Sequence, residues 1–293
     1  MPEVTDPTEE TEPTEATDAT DPTDPTDPTE ETTETVLELL AEEDILAQGT
    51  CGAEGDGSNV TWVLTTDGTM ILSGTGAVAA YDDRKDAPWG DYNDQILGLE
   101  VQKGITSVSG FGYCRNLREV SLPEGLISLG KSVFLSCAQI QEIRLPKSLK
   151  TLGDGALAGC SSLTEIELPE GLEMIGSYAL ASCDFTSVVI PASVTEMGFA
   201  VFDCDYNLKT VEIKGNVLCL RKPFNDCAAL QEVLITGGVE TIEERAFYNL
   251  NSLERVQIAG GLKTIGKLAF WSCDKLTTVS LPDGVTSIGE SAF

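Results

Sequence analysis

Residues Leu163 to Asp184 read LTEIELPEGLEMIGSYALASCD, and that phrase returns along most of the chain. LREVSLPEGLISLGKSVFLSCAQ runs from Leu117 to Gln139 and IQEIRLPKSLKTLGDGALAGCSS from Ile140 to Ser162. Later copies begin at Phe185, Leu208, Leu230, Leu253 and Leu276, and a degenerate leading copy spans Ile96 to Asn116. The template is Leu-x-x-Ile-x-Leu-Pro-x-x-Leu-x-x-Ile-Gly-x-x-Ala-Phe-x-x-Cys-x-x, about 23 residues long. Repetition at that period predicts a solenoid, in which each unit leaves an apolar face that only its neighbours cover, so at least three copies must stack.

Within a copy the pattern changes period at a fixed point. Leu163, Ile166 and Leu168 end in an alternation that suits a short, half-buried strand, and Pro169 has no N–H to extend a ladder. Ile175-Gly176, Ala179-Leu180 and Cys183 follow in a stretch too short for a full helix. It reads as a tight turn at glycine plus a second short extended or helical segment. One copy is therefore one coil, and the chain is mainly β with turns, its short strands parallel.

LPEGLEMIGSYALASC and LPDGVTSIGESAF resemble the repeat phrase of the BspA-like leucine-rich repeat family of bacterial surface proteins, over roughly Cys51 to Phe293. The opening CGAEGDGSNVTWVLTTDGTMILSGTGAV and the later APWGDY at Ala87 to Tyr92 look like the cap that precedes such repeats. Val60 to Leu64 and Met70 to Ser73 flank Asp67-Gly68, a dipeptide that favours tight hairpin turns, so the cap is expected to be a β-hairpin. Trp62 and Trp89 are placed to cover the first coil. The resemblance implies a leucine-rich solenoid, adhesion to or recognition of proteins or glycans at a cell surface, and no catalytic residues or cofactor.

Three segments follow: 1–50 a disordered acidic stalk, 51–95 the cap, and 96–293 the solenoid with an incomplete last repeat. Residues 1–50 hold seventeen Asp or Glu, no Lys or Arg, and Asp-Pro-Thr triplets at Asp6, Asp21, Asp24 and Asp27. Proline favours extended backbone and like charges repel, so this segment cannot build a core. It is read as a spacer, with an inert solvating tail as the alternative. Val36 to Ala47, VLELLAEEDILA, sets Val36, Leu39, Leu40 and Leu46 roughly on one helical face, predicting a short helix over 36–47 that rests on the cap.

The net charge of −30 leaves −13 on residues 51–293. Both parts repel polyanions, which argues against nucleic acid and anionic membranes as partners. The sequence has no apolar run of membrane-spanning length, so no membrane insertion is expected. Met1-Pro2-Glu3 lacks the basic and apolar regions of a signal peptide, so extracellular or surface localisation rests on the resemblance and the stalk. A monomer is expected unless the open edge at Phe293 pairs.

The cysteines follow the repeat. Cys114, Cys137, Cys160 and Cys183 stand 23 apart, and Cys227 and Cys273 fill the same slot. Coils about 4.8 Å apart bring these side chains together, but parallel Cβ vectors disfavour a disulfide, so they should be buried free thiols that pack as small hydrophobes. Cys204 sits one place early and Cys219 lies in the most irregular copy, leaving a local disulfide or an exposed thiol open for these two. No close Cys-x-x-Cys pair suggests a metal site. Histidine is absent from the chain, which removes Ser-His and Cys-His catalysis. Carboxylate-only chemistry would need two acids about 5 to 9.5 Å apart, whereas Glu119, Glu142 and Glu165 repeat at one solvent-facing position and should form a ladder on an open sheet.

If the Leu, Ile and Leu of each strand face inward, the outward columns can be read off directly. One contains Glu119, Glu142, Glu165, Ser187, Thr210, Glu232, Arg255 and Thr278; the next contains Ser121, Arg144, Glu167, Val189, Glu212, Leu234, Gln257 and Ser280. From these, Glu119, Glu142, Arg144, Glu165, Glu167, Val189, Glu212, Glu232, Leu234 and Arg255 form the candidate ligand-binding strand face. Stacked carboxylates suggest counterions, weak calcium binding included, or a cationic partner; a face kept soluble by charge is the alternative. Tyr248 and Trp271 follow Ala-Phe in successive copies and form a candidate aromatic patch for sugars or protein side chains, with burial against the coil as the alternative. Copy 208–229 lacks the Pro and the Ile-Gly and gathers Lys209, Lys214, Arg221 and Lys222, predicting a local bend with a small cationic patch.

The function expected is non-enzymatic recognition of a host or neighbouring-cell surface protein or glycan. The alternative is a spacer or targeting module of a longer secreted enzyme whose catalytic domain lies beyond residue 293.

Overall fold

The computed structural model describes residues 40–81 and 85–293. Most of the expected stalk lies outside the described residues. The cap carries β1 (Ile45–Thr50), β2 (Val60–Thr65), β3 (Thr69–Gly74) and β4 (Gly76–Ala77). The first coils carry β5 (Gly98–Val101), β6 (Ile105–Val108), β7 (Glu119–Ser121), β8 (Ser128–Leu129), β9 (Thr151–Leu152) and β10 (Met174–Ile175). Next come β11 (Ser187–Ile190), β12 (Glu196–Met197), β13 (Thr210–Ile213), β14 (Cys219–Leu220) and β15 (Glu232–Ile235). The last are β16 (Thr241–Ile242), β17 (Arg255–Ile258), β18 (Thr264–Ile265), β19 (Thr278–Ser280) and β20 (Ser287–Ile288). Among the described residues there are two 3-10 turns, Glu42–Asp44 and Gly90–Tyr92, and no α-helix.

The expected hairpin is present. β2 and β3 pair antiparallel around Gly68, whose φ of 89° suits a residue without Cβ, and Asp67 accepts from the Thr65 hydroxyl and the Thr69 N–H. β3 then pairs in parallel with β5, so the cap sheet runs on into the solenoid in the order β1-β2-β3-β5-β7. Trp89 is fully buried, stacks on Phe111 at 4.8 Å and donates its Nε1–H to the Gly110 carbonyl at 2.9 Å. Trp62 meets Trp89 edge-on at 5.8 Å, so both tryptophans close the first coil.

The helix read over 36–47 is corrected where the chain is described; residues 36–39 lie outside it. Glu42–Asp44 makes a single 3-10 turn and Ile45–Thr50 is an edge strand antiparallel to β2, which moves the start of the cap ahead of residue 51. The physical reason is Gly49, which lies opposite Trp62 in the pairing with its Cα against the indole, where an added Cβ would meet Nε1 at 2.9 Å. Ile45, Ala47 and Gly49 are half-buried and their neighbours exposed, a period of two rather than 3.6.

The coils stack as the repeat predicts. Leu163, Leu172, Ile175, Ala179, Leu180 and Phe185 have no exposed surface, and the corresponding residues of other coils join one continuous core. In the turn, Phe202, Phe224, Phe247, Phe270 and Phe293 form a column with ring centroids 4.8 to 5.8 Å apart. Each such pair contributes about 0.5–1.5 kcal/mol beyond burial. None of the nine cysteines is in a disulfide, Cys204 and Cys219 included, and both of these are partly exposed. The slot thiols do more than fill space. Cys137, Cys160, Cys183, Cys227 and Cys273 each donate Sγ–H to the carbonyl of a Phe or Leu in the coil before, at 2.9 to 3.4 Å. Burial pushes the Cys137 thiol up to about 12 and the half-buried Cys273 to about 11, so these groups stay protonated at neutral pH.

Two turn positions hold left-handed backbone without glycine. Ser132, Tyr178, Ala200, Arg245, Leu268 and Ser291 take φ of 52 to 58° just before the Ala-Phe pair; Ser136, Ser182, Cys204, Asp226, Asn249 and Ser272 take 55 to 61° just after it. Stacking of identical turns overrides a local penalty of about 1–2 kcal/mol per residue. The template glycine serves close approach instead. A Cβ at Gly176 would lie 2.5 Å from the Asp154 backbone nitrogen.

The solenoid is not one continuous pair of ladders. Its first edge is built of β5 and β7, then interrupted, then resumed as β11-β13-β15-β17-β19. Its second edge runs β4-β6-β8-β9-β10-β12, then restarts as β14-β16-β18-β20. The coil that begins at Phe185 thus has its first strand in the C-terminal sheet and its second strand in the N-terminal one.

Candidate functional site

From Ser187 onward, strand register sets the residues of the two outward columns side by side. Thr210 pairs with Glu232, Glu232 with Arg255 and Arg255 with Thr278, while Val189, Glu212, Leu234 and Gln257 align in the neighbouring column. Glu119, Glu142, Arg144, Glu165, Glu167, Val189 and Arg255 are exposed, whereas Glu212, Glu232 and Leu234 are half-buried.

The acidic end of this face departs from expectation. Glu119 lies at the end of β7, but 140–145 and 163–168 form no strand, so Glu142 and Glu165 do not continue a hydrogen-bonded ladder. The ion pairs differ as well: Arg144 turns back to Glu142 of its own coil at 2.7 Å. In the C-terminal half Arg255 instead reaches Glu232 of the coil before at 3.4 Å, and there the ladder is intact.

That intact half carries a concave, polar groove of about 580 Å³, lined by Thr210, Gln231, Glu232, Glu254, Arg255, Asp274, Lys275, Thr277 and Thr278. Seven of these residues come from the strand column or the residue before it, in four successive coils. Gln231, Glu254, Asp274, Lys275 and Thr277 were not singled out in the sequence because they precede the strand, outside the alternating pattern.

The aromatic patch forms, with a geometry that limits its use. Tyr248 and Trp271 stack at 5.0 Å and 12°, and Arg245 sits 5.7 Å from the Tyr248 centroid. Both rings are about two-fifths exposed. One face of each ring is taken up by the other, which limits the ring surface left for a ligand. A second exposed pair, Tyr178 and Phe199, meets edge-on at 5.6 Å.

Two of the four cations in the cluster of copy 208–229 are held in ion pairs. Lys214 pairs with Glu212 at 3.7 Å and Arg221 with Glu243 at 3.5 Å. Asp203, Cys204 and Asp226 bring one ligand atom each within 4.8 Å of one another, though Asp203 already accepts from Asn225 at 2.6 Å.

Asp205 stands in the thiol slot. Its side chain is fully buried, one carboxyl oxygen accepts from the Cys183 N–H at 2.6 Å, and the other has no partner. Burial, reinforced by Asp203 and Asp184, outweighs that hydrogen bond and raises its pKa from 3.8 to about 8, so it is mostly protonated at neutral pH.

Solved structures similar to this chain are bacterial leucine-rich repeat proteins. One from Eubacterium ventriosum ATCC 27560 is 20% identical over 84% of this chain and 94% of its own, with a TM-score of 0.45. The leucine-rich repeat protein of T. pallidum is 23% identical over 78% of this chain and 91% of its own, with a TM-score of 0.46. A leucine-rich cell surface protein from Faecalibacterium prausnitzii A2-165 is 19% identical over 82% and 85%, with a TM-score of 0.42. No curated protein matches the chain. The model of the BspA type leucine rich repeat region matches in six copies over residues 92–209 and 200–293, and with the repeat register, glycine slot and stacked turns described above, the chain belongs to that family.

Proposed function

We propose that the protein is a non-catalytic recognition module that acts at a cell surface and binds a polar protein or glycan across its strand face. The observation that carries this reading is the 580 Å³ groove, in which Thr210, Glu232, Arg255 and Thr278 stand in register. Its walls offer hydroxyls, an amide and both signs of charge, a donor and acceptor set suited to orienting a polar ligand. Repeat scaffolds use such extended faces for binding because the buried template leaves their outward residues free to vary. A surface location is supported by the family the chain belongs to and by the acidic composition of residues 1–50.

A glycan and extracellular-protein array probed with residues 40–293 tests the proposal. Saturable binding weakened at least tenfold by Arg255→Glu, with circular dichroism unchanged, supports it. An array with no saturable signal refutes it.

A further inference from the structure

The second edge of the solenoid follows a rule that fails once. From β8 to β20, each coil donates backbone N–H groups to two carbonyls of the coil before, such as Thr195 to Glu173 at 3.0 Å and Gly198 to Ile175 at 2.8 Å. The same pattern returns with Glu240 to Leu218 at 3.2 Å and Glu243 to Leu220 at 3.1 Å. Between β12 and β14 it is missing: among the described residues the Thr195 and Met197 carbonyls accept no backbone N–H, and the N–H groups of Leu218 and Arg221 have no backbone acceptor.

A missing residue explains the gap. Three residues separate Met197 from Val201, the template alanine position, but only Arg221 and Lys222 separate Leu220 from Pro223, because the glycine is gone. A coil one residue short cannot satisfy both the strand pairing and the turn pairing. The turn prevails, with Ala200 N–H to Arg221 at 3.1 Å and Phe202 N–H to Pro223 at 2.9 Å. The strands therefore part and leave a groove of about 360 Å³ whose walls include Asp154, Met174, Glu196, Leu218, Cys219 and Arg221. Leu218 is 63% exposed, more than any other large apolar side chain among the described residues.

We propose that this seam is a docking site for an extended, basic and apolar peptide segment of a partner protein, which pairs with the free edge of β12. Guest N–H groups would meet the open Thr195 and Met197 carbonyls, an apolar guest side chain would cover Leu218, and a Lys or Arg would face Asp154 and Glu196. Strand addition of this kind draws affinity from main-chain bonds and specificity from alternate side chains. Charge selects the occupant. Arg221 is the one cation in the lining and is tied to Glu243, which also accepts from the Cys219 thiol at 3.0 Å. The chain's own residues 1–39 hold fourteen acids and no base, so they are repelled from this site. The site lies on the second edge and does not depend on the strand-face groove.

The test uses two fluorescein-labelled, capped hexapeptides, one alternating Lys and Val and one alternating Glu and Val, read by anisotropy. The Lys/Val peptide is expected to bind at least tenfold more tightly than the Glu/Val peptide. Glu196→Lys and Leu218→Ser, both at exposed side chains, should each weaken it about tenfold. Inserting a glycine between Leu220 and Arg221 restores the coil length and should abolish binding while thermal stability is kept. Equal binding of both peptides, no binding, or indifference to all three variants overturns the proposal. So does a concentration-dependent dimer that the glycine insertion dissolves, since the seam would then belong to a second copy.

Discussion

Replacing Asp205 by cysteine should stabilise the protein, by an amount that depends on pH. In the folded chain this carboxyl is held neutral up to about pH 8, against an ordinary value of 3.8. The sign follows from proton uptake. The folded state keeps a proton that the unfolded state has released, so stability is highest below about pH 4 and falls until the pH reaches the folded value. At pH 7 the difference spans about three pH units, and at about 1.4 kcal/mol per unit the carboxyl costs roughly 4 kcal/mol. Asp205→Cys removes that cost but also removes the acceptor for the Cys183 N–H, worth about 1–3 kcal/mol as a buried bond. In the coil below, the Cys160 N–H finds the Leu157 carbonyl at 3.1 Å, and a similar return is open to Cys183. The net expected gain is about 1–3 kcal/mol at pH 7 and about zero or slightly negative at pH 4.5. Urea denaturation followed by tryptophan fluorescence, in reductant and at several pH values, measures it. The difference between variant and parent isolates this carboxyl from the general effect of a net charge of −30. If that difference is the same at pH 4.5 and pH 8, the carboxyl does not titrate between them and the reasoning fails.

Thiol titration should find nine reactive cysteines in denaturant and at most three in the native protein, namely Cys204, Cys219 and Cys273, the only partly exposed ones. Gly176→Ala should destabilise by several kcal/mol in the same urea assay, because its Cβ would press on the Asp154 backbone rather than on a movable side chain. Leu268→Gly, at φ 56°, should be close to neutral or stabilising by up to about 1 kcal/mol. There the relief of left-handed strain opposes the extra chain entropy of glycine. Trp89→Ala should cost about 3–5 kcal/mol and melt the first coils ahead of the rest, visible as an early phase in hydrogen exchange.

Much of this architecture is legible in one 23-residue phrase, because the phrase records which side chain meets which one coil away. The inward Leu and Ile, the outward columns, the thiol slot and the cap hairpin all follow from spacing. What escaped depends on coil-to-coil differences. Cys204 reads as one place early, and only stacking reveals that Asp205 has taken the buried slot it vacated. The lost glycine near Arg221 reads as a bend, whereas the structure resolves it as a parted ladder, because two pairings compete for one short coil. The acidic columns were read correctly for direction but not for pairing, since the repeat phrase is the same at 140–145 and 163–168, which form no strand, as in the copies that do. Residues 45–47 were misread because a short apolar pattern fits two periods, and the deciding contact, Gly49 on Trp62, lies outside the 36–47 window that suggested a helix.

The two interruptions fall at different heights along the stack, the first edge between β7 and β11 and the second between β12 and β14. Like staggered joints in brickwork, no single interface between coils carries both gaps: where one seam is open, the other is bonded. A repeat protein assembled this way can lose one element of its phrase in a given coil without being cut in two. Such staggering gives a duplicating gene room to drift, and it marks the place where a new recognition surface can arise without dismantling the scaffold that presents it.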